Sequence, residues 1–218
     1  MKKDYTDITF VLDRSGSMSS VWDDVIGGLK TFLQENKKVP GEVKFSLVVF
    51  DSVSIDTVID HSDLRSIENI NLHEYKPRGG TPLYDALGKT INDLGRRLSK
   101  IQENDRPDKV LFVVMTDGYE NASREFRSTT INNMVTHQTD KYNWDFVYLG
   151  ANQNAILAGS TIGFSPGNSI SYSSTPTGTL KSFDTLSSLS ANYRCGRSLK
   201  GEFFNKVNES DTIDDLKA

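Results

Sequence analysis

Strand-like and helix-like stretches alternate along the whole chain, which predicts an α/β protein built on a central, mostly parallel sheet with helices on both faces. Three observations carry that prediction. Ile8 to Leu12 and Val110 to Met115 are almost wholly apolar, as central strands covered on both faces must be. Between and after them, apolar residues recur every three or four positions, the period of helices lying on such a sheet. A short polar break at Asp51-Ser52 joins two further strand-like runs, which gives a hairpin and therefore one antiparallel edge strand.

Thr6 to Leu12 is the first strand, with Asp13 at its carboxyl tip. Val21, Trp22, Val25, Ile26, Leu29, Phe32 and Leu33 then trace a helix running to about Asn36, despite Gly27 and Gly28. It ends at the turn Val39-Pro40-Gly41-Glu42. Val43 to Phe50 and Ser54 to Ile59 form the hairpin, and Asp63 to Ile70 is expected to be a short helix. The loop from Tyr75 to Pro82 hands over to a strong helix lined by Leu83, Leu87, Ile91, Leu94, Leu98 and Ile101, with Lys89, Arg96, Arg97 and Lys100 off that face. Pro82 suits its first helical position and Thr81 the cap before it.

Val110 to Met115 is the second central strand, stopped by Thr116-Asp117-Gly118, so that a carboxylate again stands at a strand tip. Thr129 to Lys141 is a helix, Asp145 to Leu149 a strand, Asn154 to Ile162 a short helix and Ser169 to Tyr172 the sixth strand. Leu180, Phe183, Leu186, Leu189 and Tyr193 mark a last helix that closes at Gly196. Beyond Gly201 the sequence is polar, with Phe203-Phe204 as a possible docking point.

A chain of 218 residues is long enough for one large core. Its net charge of −4, with no Lys/Arg cluster, argues against a nucleic-acid partner. No apolar stretch approaches the roughly 20 residues that span a bilayer, so no membrane role and a cytoplasmic location are expected. The single cysteine, Cys195, permits neither an internal disulfide nor a cysteine metal cluster.

In sheets of this kind ligands bind beyond the carboxyl ends of the strands, where the strand order reverses. Three loops bring oxygen there: Asp13, Ser15 and Ser17 from the first, Thr81 from the second and Asp117 from the third. Hard oxygen donors suit a divalent cation such as Mg²⁺ or Mn²⁺. Each residue also has a plain structural use available. Ser15, Ser17, Ser19 or Ser20 can cap the first helix, Thr81 the next, and Asp117-Gly118 can be an ordinary turn. Capping does not explain why two buried-type strands both end in aspartate.

Asp13-x-Ser15-x-Ser17, the threonine of Gly79-Gly80-Thr81-Pro82-Leu83, and Thr116-Asp117-Gly118 together resemble the metal-ion-dependent adhesion site (MIDAS) of the von Willebrand factor type A domain family, over Thr6 to Asn192. The resemblance implies a Rossmann-like fold, a sheet of six strands, a domain over 1–196, a polar tail over 197–218, and a stand-alone prokaryotic or phage-type member. It also implies that Ser15 and Ser17 ligate the cation directly, Thr81 directly or through water, and Asp13 and Asp117 mostly through water. Neutral inner ligands leave the cation electrophilic, so that the Asp or Glu side chain of a partner protein completes its shell. The implied function is non-enzymatic, and the Leu180 to Tyr193 helix is the candidate for movement when the site changes state.

Around these residues, Arg14, Arg78, Tyr84, Tyr119, Glu120, Asn121 and Asn152 are placed to tune partner choice. Arg14 and Arg78 read as solvated arginines with the option of steering an anion, and His61, His73 and His137 as surface or packing residues. A small anionic ligand or nucleotide at the cation is the alternative function, although the loops contain no glycine-rich phosphate cradle. A Mg²⁺-dependent phosphohydrolase ranks lower. A haloacid-dehalogenase-like enzyme needs a second aspartate where Ser15 stands, and a Gly-x-Ser-x-Gly elbow needs glycine in place of Asp13.

Overall fold

In a computed structural model, which describes residues 1–151, 154–197 and 199, the chain forms one six-stranded sheet. The elements are β1 (Lys2–Asp13), α1 (Trp22–Lys38), β2 (Glu42–Phe50), β3 (Ile55–Asp63), α2 (Leu83–Ser99), β4 (Pro107–Thr116), α3 (Ser128–Tyr142), β5 (Trp144–Ala151), α4 (Ala155–Thr161), β6 (Ser169–Tyr172) and α5 (Pro176–Arg194). The strand order is β3-β2-β1-β4-β5-β6, and every pairing is parallel except β2 with β3. The fold is therefore the expected Rossmann-like one, with a single antiparallel edge strand.

Alternation along the central strands divides the core in two. Ile8, Phe10 and Leu12 of β1 join Leu111, Val113 and Met115 of β4 beneath α1 and α5. Val11, Val110, Phe112 and Val114 face the other way, beneath α2, α3 and α4. Side chains of this size stabilise by about 1.5–3 kcal/mol each when fully buried, so the two apolar runs dominate the sheet. The order reverses between β1 and β4, and their carboxyl ends, Asp13 and Thr116, flank the resulting crevice.

The two glycines within α1 have different roles. A Cβ on Gly28 would lie 2.1 Å from the Phe183 ring of α5, whereas a Cβ on Gly27 would meet nothing within 4 Å. The missing side chain of Gly28 is what lets the two helices close on each other. Gly28→Ala is expected to destabilise by about 1–3 kcal/mol through overpacking, despite its better helix propensity. Gly27→Ala should be neutral or stabilising, and urea unfolding of the pair measures the difference.

One expectation is corrected. In place of the expected helix over Asp63 to Ile70, Asp63 ends β3 and Leu64–Ser66 is a single 3₁₀ turn followed by irregular chain. Leu64, Ile67, Ile70 and Leu72 are all buried, and no one helical face can hold that spacing, so an irregular path is what buries all four. Arg97, off the apolar face of α2, is held in an ion pair that the sequence did not reveal. Its Nη2 donates to both oxygens of the fully buried Asp7, at 3.0 and 2.8 Å, with His61 Nδ1 3.2 Å from the same carboxylate.

Gly196 takes a left-handed φ of 84° just past α5, as a closing glycine should. Residues 198 and 200–218, including Phe203-Phe204 and most of the expected polar tail, lie outside the described residues. Among the described residues no helix is long and apolar enough to cross a membrane.

Candidate functional site

Asp13 ends β1 fully buried, and both its oxygens are engaged: Oδ1 accepts the Ser15 N–H at 2.6 Å and Oδ2 the Thr116 hydroxyl at 2.6 Å. The Ser15 and Ser17 hydroxyls are 3.1 Å apart, and Ser17 donates onward to Asp117 Oδ1 at 2.5 Å. A Cβ placed on Gly118 would lie 3.1 Å from Thr81 Oγ1 and 3.7 Å from Ser17 Oγ. All five predicted residues thus meet at the crevice between β1 and β4.

Backbone bonds tie the three loops to each other. Gly16 N–H reaches Gly79 O at 3.0 Å and Arg78 N–H reaches Arg14 O at 2.9 Å. Asn121 clamps Thr81 from both sides: its N–H donates to Thr81 O at 3.1 Å, and its Oδ1 accepts the Thr81 N–H at 2.9 Å.

None of these hydroxyls is spent on capping. Val21 precedes α1 and makes no side-chain cap, and Ser15, at the start of the short Gly16–Ser20 turn, makes none either. Pro82, expected inside α2, takes the cap position, which sets Thr81 one residue further out. The first N–H groups of α2 find partners in the loop after β4, where Glu120 Oε2 accepts Tyr84 N–H at 3.0 Å and Ser123 Oγ accepts Asp85 N–H at 3.1 Å. That borrowed cap frees the Thr81 hydroxyl for the crevice.

Burial pushes the Asp13 carboxyl up to about 6, against the hydrogen bonds from Thr116 and Ser15 and with a further push from the Asp117 charge. Asp117 is raised as well, by burial that outweighs its hydrogen bond from Ser17. A positive charge here would ease both carboxylates, and the donor set around them is hard oxygen only. It fits Mg²⁺ or Mn²⁺. Among the described residues no group of three or more His, Cys, Asp or Glu stands together as a metal site, so a cation here would rest on hydroxyls and two carboxylates. Gly118→Ala tests the cradle. Its methyl group would crowd the Thr81 and Ser17 oxygens and is expected to weaken Mg²⁺ binding at least about tenfold, while the melting temperature of the metal-free protein shifts little.

The flanking residues divide. Arg14 is not solvated. It is 3% exposed, with Nε 3.1 Å from Asp51, Nη2 2.7 Å from Asp56, and its guanidinium 5.2 Å from the Tyr75 ring centre. Arg78 Nε donates to the same Asp51 at 2.8 Å while much of its side chain stays exposed. Tyr119 is exposed beside the site and Tyr84 is half-buried. Asn152 lies outside the described residues.

Sequence reasoning missed Thr116, which fixes Asp13, and Asp51, which anchors the first loop through Arg14. It also missed Asp85, whose carboxylate accepts the N–H groups of Arg124, Glu125 and Phe126 at 2.7, 3.0 and 2.8 Å. One signal for Asp51 was available: an acidic residue ending a nearly unbroken apolar strand, as at Asp13 and Asp117.

The model of the von Willebrand factor type A domain matches residues 7–186. Among solved structures, proximal thread matrix protein 1 from the mussel byssus is similar at 17% identity with a TM-score of 0.62, over 88% of this chain and 48% of that one. The von Willebrand factor type A protein from Catenulispora acidiphila is similar at 12% identity and a TM-score of 0.58, over 88% and 43%. The SpRpn10 VWA domain is similar at 11% and 0.56, over 83% and 94%. At these identities the likeness is one of fold, and the chain spans about half the length of the first of them. No curated protein sequence matches.

Proposed function

The chain belongs to the von Willebrand factor type A domain family, whose members are in general protein-interaction modules, and from that premise we propose that it is a non-enzymatic binding module that depends on a divalent cation. The cation is Mg²⁺ or Mn²⁺, held at a metal-ion-dependent adhesion site by Asp13, Ser15, Ser17, Thr81 and Asp117. When bound, it supplies an electrophilic centre for the Asp or Glu carboxylate of a partner protein.

The observation that carries this reading is the convergence of three hydroxyls, none used as a helix cap, on two carboxylates whose burial raises both of them. Thr116 and Asn121 hold Asp13 and Thr81 in place. The small-anion alternative loses support because the two arginines it invokes are committed to Asp51, and Arg14 also to Asp56. For an enzyme reading that uses a histidine base, support is lacking: His61 sits against Asp7, His137 against Tyr142, and His73 is exposed in the loop before Tyr75. A lone exposed thiol at Cys195 fits a reducing, cytoplasmic setting.

The test is titration calorimetry with Mg²⁺, followed by partner capture in Mg²⁺ and in EDTA with Asp13→Asn as control. Binding that persists in chelator and survives Asp13→Asn would sink the proposal.

A further inference from the structure

The family motif leaves β6 out of the site, but the end of that strand carries an unexplained polar group. Tyr172, the last residue of β6, is 9% exposed, and its hydroxyl is fully buried with no hydrogen-bond partner. A buried hydroxyl left without a partner is costly, so its presence calls for one that the other described residues do not supply.

The register gives its position. Thr116 pairs with Gly150, Gly150 with Ser171, and Ala151 with Tyr172. Tyr172 therefore stands level with Asp117, two strands away, roughly 10 Å at the usual strand spacing. The strand between them ends in the small residues Gly150 and Ala151, and Tyr172 packs with Ala151 in the layer beneath α1 and α5. Burial first, then the charges of Asp117 and Asp13, push the phenol far above its ordinary value. The group stays protonated at any working pH and so remains a donor.

Two more buried polar atoms lack partners at the same end of the helical layer: Trp22 Nε1 and Thr179 Oγ1, in the first turns of α1 and α5. These helices run side by side in register, Gly28 against Phe183 and Ser190 bonded to Asn36 at 2.8 Å, so their first turns are neighbours. Buried water typically gathers where several such groups remain unsatisfied.

We propose that Tyr172 is a positioning residue of the metal site: its hydroxyl donates to a buried water between it and the Asp13 and Asp117 carboxylates, and so orders the outer shell of the cation. The inference rests on the metal-binding reading above. Partners of this outer kind change metal affinity by roughly ten- to hundredfold when removed.

The experiment compares wild type, Tyr172→Phe and Asp13→Asn by Mg²⁺ titration calorimetry and by thermal unfolding with and without Mg²⁺. Tyr172→Phe is expected to bind Mg²⁺ roughly ten- to hundredfold more weakly, and to show a smaller metal-induced rise in melting temperature. Without metal it should melt at or above the wild-type temperature, because an unsatisfied hydroxyl has been removed; a purely structural tyrosine would instead lower it. Wild-type affinity in Tyr172→Phe overturns the role of Tyr172 alone. A wild-type protein that binds no Mg²⁺ overturns the metal reading and this inference with it. A check that needs no folded variant is the ring Cζ resonance of Tyr172 in tyrosine-labelled protein, which should move on Mg²⁺ addition and would speak against the proposal by staying still.

Discussion

Asp13→Asn is expected to cost the protein its Mg²⁺ affinity, by about a hundredfold or more, while leaving the fold intact. The substitution is nearly isosteric. The new carbonyl can still accept the Ser15 N–H, and the new amide faces the Thr116 hydroxyl, which can rotate to accept. What disappears is a formal charge in a fully buried position. In the metal-free protein that charge is disfavoured, as the raised carboxyl indicates, so its loss should not reduce stability. With a cation held as proposed, the same charge would be one of the two, with Asp117, that neutralise it from the five site residues. A hundredfold corresponds to about 2.8 kcal/mol at 1.4 kcal/mol per tenfold. Calorimetry beside an unfolding curve separates the two effects, and unchanged affinity in a folded Asp13→Asn protein would remove the site.

Asp51→Asn should have the larger effect on stability, about 3 kcal/mol, because it leaves the buried Arg14 short of a counter-ion. Asp56 still faces Arg14, which keeps the cost at the lower end for a broken buried pair. Burial alone would raise the Asp51 carboxyl. The hydrogen bonds from Arg78, Val53 and Ser54, with the Arg14 charge, outweigh burial and hold it below its ordinary value. A depressed acid stabilises the fold above its unfolded value, and that contribution is lost as pH falls through the native one. The stability gap between wild type and Asp51→Asn should therefore be full at neutral pH and shrink below about pH 4. Because Arg14 lies between Asp13 and Ser15, Mg²⁺ affinity should fall as well. A gap that persists undiminished into strong acid would contradict the assignment.

The parts of the protein legible in its sequence are those that repeat. Strands β1 and β4 announced themselves by unbroken apolar runs, and the site by aspartates at both tips. Interactions between distant residues were not legible. Asp7 and Arg97 stand 90 positions apart and Asp13 and Thr116 stand 103 apart, and no periodicity links them. Even so, Asp7 is a charge within a strand read as buried, and physical chemistry requires a partner for it. Arg14 was misread because its neighbours in sequence belong to the crevice, while its side chain turns away from them into the hairpin. Thr81 was assigned a capping role because threonine before a helix ordinarily has one; the actual cap comes from Glu120 and Ser123, on a loop that sequence alone cannot bring to α2.

That borrowed cap belongs to a wider pattern. Glu120 accepts the N–H groups of Ala122 and Ser123, and Asp85 those of Arg124, Glu125 and Phe126, so five consecutive backbone donors end on two carboxylates. The course of this segment is thus written mainly in main-chain bonds, with Tyr119 at its start left pointing into solvent. Substitutions at the exposed Tyr119, Arg124 and Glu125 are therefore expected to alter the surface beside the crevice while the Asn121 clamp keeps Thr81 in place.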